Sequence, residues 1–262
     1  MDKRNLTTQI NSALRGALDG CAGELSPPVL TALVAQGLMN KSMQLTVQGW
    51  RQALVTSSLE KQCVHLGLDL KEWKHLQFTG GPERAAWDYF AANGYTGSHC
   101  EGGALLLLIR AAALDTLEQL NTFGSRQDAC VRFTEAQLKI HEDSVLEIAA
   151  AVERADADLV ARGFAEIYRS VRIQDYYPGL TAEAIIALFD AIGNVRLRQI
   201  TEAIAEDPYQ YRNGWPDLTL TNGRDVIWAE IKTTDKLHMS QIITIHRMKP
   251  LMPGATMVVR LC

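Results

Sequence analysis

The feature that most limits the possible folds is a change of pattern at Pro216. Pro216 follows a long stretch in which apolar residues recur only at helical spacing. Residues 217–221 and 226–231 have the composition of short β-strands, and Asn222-Gly223 lies between them. Asn-Gly is a strong signal for a tight turn between antiparallel strands. The sequence therefore predicts a β-hairpin inside a largely helical chain, which indicates an α/β fold.

Helical patterns lie on both sides of this hairpin. Apolar residues from about Leu6 to Leu70 recur at helical spacing, and residues 127–205 carry only helical signals. An amphipathic helix is predicted from Glu83 to Asn93, where the first carboxylate favours the helix dipole, and a loop is expected after it. A further helix is predicted from Leu237 to Met248, followed by a last apolar strand over residues 256–261.

The apolar run that follows Glu101 is too long for a surface helix. The residues after this glutamate read Gly-Gly-Ala-Leu-Leu-Leu-Leu-Ile-Arg-Ala-Ala-Ala-Leu. A helix that is apolar on all sides belongs in a protein core. We therefore expect one core helix with the Glu101 carboxylate at its N-terminal end.

The hairpin brings together residue types that suit a metal site. Asp217 starts one strand, and Glu230 and Lys232 share a face of its neighbour because they are two residues apart. Carboxylates and a backbone carbonyl are the oxygen ligands that Mg²⁺ and Mn²⁺ prefer, whereas a buried acid cluster without an ion repels itself. The alternative is solvated charge on an exposed strand, which is common for either piece alone.

These residues carry a resemblance to a known family. Pro216-Asp217-Leu218, Glu230-Ile231-Lys232 and Gln241 resemble the VRR-NUC branch of the PD-(D/E)XK nucleases. Residues 83–90 and 94–103 are similar to the helix and the metal-glutamate segment of Fanconi-associated nucleases. The sequence departs from the family at Thr233-Thr234, where Gly-Pro is common.

The resemblance implies a restriction-endonuclease-like α/β fold with a mixed sheet. It implies a helical N-terminal region over residues 1–80 and a VRR-NUC nuclease domain over residues 81–262. A large helical insertion would occupy about residues 121–210 of that domain.

The resemblance also implies roles for individual residues. One or two Mg²⁺ or Mn²⁺ ions would be bound by Glu101, Asp217, Glu230 and the carbonyl of Ile231, with Lys232 as the catalytic lysine. Gln241 would support the motif, and His99 is placed to support Glu101 from behind. A terminal 5′ phosphate of DNA would be met by a basic pocket, for which Arg51 and Arg212 are the candidates.

The function expected from this site is metal-dependent, structure-selective cleavage of DNA at flaps, nicks or ends, in DNA repair or processing. An alternative is an antibacterial DNase toxin, delivered by a contact-dependent secretion system and neutralised by an immunity protein. Expression alone would separate the two, because a toxin kills its host unless Asp217 or Lys232 is mutated. A third alternative is a non-catalytic helical binding module.

Composition adds limits to these alternatives. The net charge is −4, so a DNA-binding surface must be a local basic patch, because phosphate contacts are made by Lys and Arg. The five cysteines are scattered without a CxxC pair, which is typical of free thiols in a reducing compartment. No Sec signal peptide or membrane span is evident, so we expect the cytoplasm, or the cytoplasm of a target cell for a toxin.

Overall fold

The computed structural model describes residues 3–21, 25–74, 80–121 and 124–262. The chain divides into two compact units, of which the first is Met1–Leu68 with Thr234–Ile243 and the second is Asp69–Thr233 with Thr244–Cys262. The sequence places a boundary after residue 80, and the segment just before it, residues 75–79, lies outside the described residues.

The first unit contains the helices α1 (Lys3–Leu18), α2 (Pro27–Ala35), α3 (Val47–Thr56) and α4 (Leu59–Leu66). Two of them begin at side-chain caps. The hydroxyl oxygens of Thr46 and Ser58 accept hydrogen bonds from Gly49 N and Lys61 N, which satisfies first-turn amides of α3 and α4. Helix α2 begins after Ser26 with prolines in its first turn, where a missing N–H is tolerated.

A buried glutamine ties the segment Thr234–Ile243 to these helices. The Gln62 side-chain amide donates to Leu54 O at 3.1 Å and to Leu237 O at 3.0 Å, and its oxygen accepts from Leu237 N at 2.8 Å. A buried amide is costly unless its donors and acceptor are satisfied, and here they are. The returning segment is therefore held to the first unit by a specific hydrogen-bond pattern.

A five-stranded mixed sheet forms the centre of the second unit. Its strands are β1 (Asp69–Trp73), β2 (Thr96–Ser98), β3 (Leu218–Thr221), β4 (Val226–Lys232) and β5 (Ala255–Leu261). They lie in the order β1-β5-β4-β3-β2, with β5 parallel to both of its neighbours and β3 antiparallel to both of its own. The predicted mixed α/β fold is thereby confirmed.

The remaining helices lie between and after these strands in the chain, and residues 127–205 are mainly helical, as the sequence predicts. In chain order they are α5 (Pro82–Ala92), α6 (Gly103–Ala112), α7 (Leu114–Leu120), α8 (Arg126–Val131), α9 (Thr134–Ile140), a short 3₁₀ turn (Glu142–Ser144), α10 (Val145–Arg154), α11 (Ala157–Ile167), α12 (Val171–Tyr176), α13 (Ala182–Ile192), α14 (Asn194–Ala205) and α15 (Met239–Met248). Every residue of α6 is buried, which confirms its predicted place in the core.

Alternation along β3 and β4 decides which side chains face the helix α5. One apolar cluster contains Phe90 of α5 together with Leu218, Leu220, Ala229 and Ile231. Successive strand residues point to opposite faces of a sheet, so the residues between these lie on the other face. Both strands are buried along their whole length, so that second face is covered as well.

Three local predictions differ from the structure. Residues 69–73 form strand β1 within a region expected to be helical, and residues 96–98 form β2 within an expected loop. The expected single core helix is two helices, α6 and α7, that meet at Ala113.

The predicted hairpin is present. Its loop, residues 222–225, lies between β3 and β4, and Asn222 Oδ1 accepts hydrogen bonds from Arg224 N and Asp225 N at 3.0 and 2.8 Å.

Among the residues with described structure, no helix has both the length and the apolar character needed to cross a membrane.

Candidate metal centre

The hairpin brings Asp217 and Lys232 to the same place as Glu230. Leu218 pairs with Ala229, so Asp217 stands just before β3, beside the last residues of β4. Its Oδ2 accepts a hydrogen bond of 2.7 Å from Ile231 N. On β4, Lys232 Nζ lies 2.8 Å from Glu230 Oε1. The structure therefore assembles three of the four polar residues expected at the site.

These groups are largely removed from solvent. Glu230 is 1% exposed and Lys232 is 5% exposed. Burial raises the pKa of the Asp217 carboxyl to about 6, with the negative charges of Glu83 and Glu101 adding to the effect. The hydrogen bond from Ile231 and the charge of Lys232 act in the opposite direction. The half-buried Asp217 and the buried Glu230 thus lie near Lys232, and an added cation would favour the ionised forms of both carboxyl groups.

The donor set fits a hard divalent cation. Asp217 and Glu230 each supply a carboxylate, and the N–H and C=O of a strand residue point to the same neighbouring strand, so the Ile231 carbonyl faces the Asp217 side. Mg²⁺ is usually held by one or two carboxylates and keeps several waters. Within the described parts of the chain, no three or more His, Cys, Asp or Glu side chains lie close enough to hold an ion together. The role of Glu101 as a third ligand stays a prediction.

Glu101 occupies a turn with unusual backbone geometry. Its φ is +43°, and that of Gly102 is +77°, so two successive residues adopt left-handed conformations before α6 begins. A side chain on Gly102 would meet the ring of Trp215, since an added Cβ would lie 2.4 Å from Trp215 Cγ. Trp215 is buried, and its Nε1 donates to Tyr211 O at 2.7 Å, which holds the ring in place. Strain of this kind is often found at functional sites.

We expect Gly102→Ala to lower the free energy of unfolding by about 2–5 kcal/mol, combining left-handed strain with overpacking against Trp215. The matched control is Gly223→Ala in the hairpin loop, where φ is +85° but no atom lies within 4 Å of the added Cβ. That control should lose only about 1–2 kcal/mol from backbone strain. Urea titration of both variants measures the difference, and equal losses would show that Trp215 yields to the methyl group.

A cavity of about 480 Å³ lies next to Glu101. It is lined by His99, Cys100, Glu101, Gly103, Leu106, Phe133, Glu135, Tyr176, Tyr177, Arg212 and Asn213. Thus the predicted supporting residue His99, which is exposed, and the predicted phosphate-binding residue Arg212 both border the same space as Glu101. The guanidinium carbon of Arg212 lies 5.9 Å from the ring centroid of Tyr209.

The two remaining predicted residues belong to the first unit. Arg51 is half-buried on α3. Gln241 lies in the first turn of α15, where its Oε1 accepts a hydrogen bond of 2.9 Å from His238 N. This bond caps the helix, which gives Gln241 a structural role independent of any motif.

The sequence gives little indication of how Glu83 and the aromatic residues of the cavity relate to the site. It favours a helix-dipole role for Glu83 over a supporting role at the site, yet the charge of Glu83 contributes to the raised pKa of Asp217. The available signal is the position of Glu83 in the first turn of α5, upstream of Glu101. The cavity residues Phe133, Tyr176 and Tyr177 lie just before α9 and at the end of α12, and nothing in their local sequence connects them to Glu101.

The five-stranded mixed sheet with its helices forms a fold that is also found in solved structures. No known family profile matches the sequence, and no curated protein matches it. Solved structures with a similar fold include paFAN1 bound to 2-nucleotide 5′ flap DNA with a gap and paFAN1 bound to 1-nucleotide 5′ flap DNA with a gap. In both, the TM-score is 0.54 at 15% identity, and the match covers 97% of this chain. The match covers 49% and 47% of those chains, so this chain spans about half of their length.

Proposed function

We propose that this chain is a metal-dependent deoxyribonuclease that cuts structured DNA, such as flaps, nicks or ends, during repair or processing. The observation that carries the proposal is the convergence of Asp217, Glu230 and Lys232 at the ends of two neighbouring interior strands, β3 and β4. The likeness to a nuclease fold solved with 5′ flap DNA supports DNA as the partner.

The metal would be Mg²⁺ or Mn²⁺, held by Asp217, Glu230 and the Ile231 carbonyl with help from Glu101. When bound, such an ion lowers the pKa of a coordinated water and offsets the negative charge that grows on the phosphodiester during attack. The buried position of the Glu230 carboxylate strengthens its interaction with a cation, because few waters screen it.

Lys232 would act on the reacting phosphate and the attacking water. Its ammonium group is a hydrogen-bond donor, and its contact with Glu230 Oε1 keeps it beside the carboxylates that would hold the metal. A cation fixed in a dry site stabilises developing negative charge without reorganising solvent. The amide of Ile231 in turn orients the Asp217 carboxylate. The carboxylate is therefore held next to strand β4, which carries Lys232.

The test is cleavage of labelled 5′ flap, nicked, junction and linear DNA with Mg²⁺, with Mn²⁺ and with EDTA. Glu230→Gln and Lys232→Met are each expected to reduce the rate by about 10²–10³-fold. The matched control is Lys71→Met, which removes an exposed lysine from strand β1 of the same sheet and should leave cleavage unchanged.

Two results would contradict the proposal. Cleavage that is equal in the wild type and in both site variants would come from something other than this site. If the wild type cuts none of the substrates and calorimetry detects no binding of Mg²⁺ or Mn²⁺, the non-catalytic binding module becomes the better interpretation.

A further inference from the structure

The cavity beside Glu101 has an aromatic wall supplied by the helical insertion. Phe133 packs edge-to-face against Tyr176, with ring centroids 5.1 Å apart at 74°, and against Tyr177 at 6.4 Å and 84°. The Tyr177 ring packs closely against Gly103, since a Cβ added at Gly103 would lie 2.4 Å from the ring. This contact restricts the movement of the ring on that side. The guanidinium carbon of Arg172 lies 5.5 Å from the Phe133 ring centroid. The wall is therefore a preorganised cluster.

Tyr176 presents this cluster to solvent. It is 59% exposed, although large aromatic side chains normally bury most of their surface. It lies at the end of α12, so removing its ring would leave the helix core, which is formed around Ile173, intact. An exposed ring held by two aromatic neighbours is a surface on which a flat, unpaired base can stack.

The charges around the cavity do not single out a phosphate as the occupant. Two carboxylates, Glu101 and Glu135, and one guanidinium, Arg212, line the cavity, and the charge of the buried Arg110 acts on Glu135 from the protein interior. Glu135 is only 8% exposed. These four groups carry no net charge, so a dianionic terminal phosphate gains no net attraction from them, whereas a neutral base has N–H donors for a carboxylate and a flat face for the tyrosine.

A buried arginine positions this wall. Arg110 is 1% exposed, and its Nη1 donates to Cys130 O at 3.1 Å and to Arg132 O at 2.7 Å, next to Phe133 in the chain. Its charge also interacts with Tyr177 and Glu135. The guanidinium of one residue therefore binds the backbone just before Phe133 and interacts electrostatically with Tyr177 and Glu135.

We propose that this cavity receives an unpaired nucleobase next to the phosphodiester that is cut. The substrate class is then DNA with at least one unpaired nucleotide at the cleavage position, and Arg212 contacts that nucleotide rather than a terminal phosphate. The location of the cut bond rests on the proposed nuclease function, because Glu101 borders the cavity and its charge also acts on Asp217. The binding of the base does not depend on cleavage.

The test measures binding in EDTA, where no cleavage takes place. A 5′ flap duplex carries 2-aminopurine at its first unpaired position, and a second flap carries an abasic residue there. The proteins are the wild type, Tyr176→Ala and Tyr176→Phe. The matched control is Tyr89→Ala, which removes another half-exposed tyrosine, packed on Trp73 with ring centroids 4.3 Å apart.

Stacking on Tyr176 should quench 2-aminopurine fluorescence with the wild type, with Tyr176→Phe and with Tyr89→Ala, but not with Tyr176→Ala. The Tyr176→Ala variant should bind the normal flap about 5- to 30-fold more weakly. The abasic flap should lose a similar factor with the wild type and lose nothing further with Tyr176→Ala, because one interaction cannot be removed twice.

The proposal is overturned if the wild type binds abasic and normal flaps equally well. It is also overturned if removal of a 5′ phosphate, rather than of the base, weakens binding. Failure of the nuclease proposal looks different, since cleavage would be missing while quenching still depends on Tyr176. The opposite outcome is also distinguishable. If cleavage depends on Glu230 and Lys232 but neither Tyr176→Ala nor the abasic residue has an effect, the nuclease proposal stands and the nucleobase proposal is wrong.

Discussion

Replacing Lys232 with methionine should lower the free energy of unfolding of the metal-free protein by roughly 3–5 kcal/mol. The Glu230 carboxylate is 1% exposed and its Oε1 lies 2.8 Å from Lys232 Nζ, so the variant leaves a buried charge without its counter-ion. Methionine keeps the length and packing of the lysine stem, which confines the change to the charge. Urea unfolding followed by tryptophan fluorescence measures it, since Trp215 and Trp228 are buried in the same unit.

The control for this prediction removes both charges. Glu230→Gln with Lys232→Met should recover most of the lost stability, because a neutral pair carries no desolvation penalty for an isolated ion. Mg²⁺ or Mn²⁺ should also raise the stability of the Lys232→Met variant, by supplying a cation to Glu230. If the single and the double variant are equally unstable, the loss of stability comes from packing. The unpaired charge of Glu230 then makes no measurable contribution to that loss.

Asp217→Asn should stabilise the metal-free protein at neutral pH by about 2–3 kcal/mol while it removes activity. The folded protein raises the pKa of Asp217 to about 6, above the value of about 3.9 for an unfolded aspartate. The native state therefore favours the protonated carboxyl. The contribution of this group to stability is fully present below pH 4 and is lost as the pH rises through 6.

The difference between Asp217→Asn and the wild type should accordingly grow from pH 4 to pH 6 and then remain constant. Asparagine retains a side-chain oxygen that can accept the hydrogen bond from Ile231 N, so the backbone contact is kept. Divalent ions should stabilise the wild type at pH 7 and have little effect on the variant. Parallel pH profiles for the two proteins would show that Asp217 is ionised in the native state as readily as in the unfolded chain.

The core of the site could be predicted because its signals are local. Asn222-Gly223 between two short strands defines a hairpin, and a hairpin alone brings Asp217 next to Glu230 and Lys232. The burial of the helix after Glu101 could likewise be predicted, because a helix that is apolar on all sides must be covered by other parts of the protein.

The parts that escaped prediction depend on distant partners. Strand β1 has a mostly exposed and charged sequence, Asp-Leu-Lys-Glu-Trp, and it is a strand because β5 pairs with it at the sheet edge. Strand β2 has three residues and a similar dependence on β3. No helix-breaking residue marks the junction of α6 and α7 at Ala113. The cavity wall joins helices far apart in the chain, which no periodicity reveals.

The strand order has a consequence for how the protein is made. Strand β5 lies between β1 and β4, and its Arg260 pairs with Glu72, which is 188 residues earlier. During synthesis, β1 and the hairpin leave the ribosome before their common neighbour exists. The sheet can close only after residues 255–261 have emerged, and such long-range pairing is slow. A ribosome-bound chain that stops before β5 therefore lacks the strand that joins β1 to the hairpin.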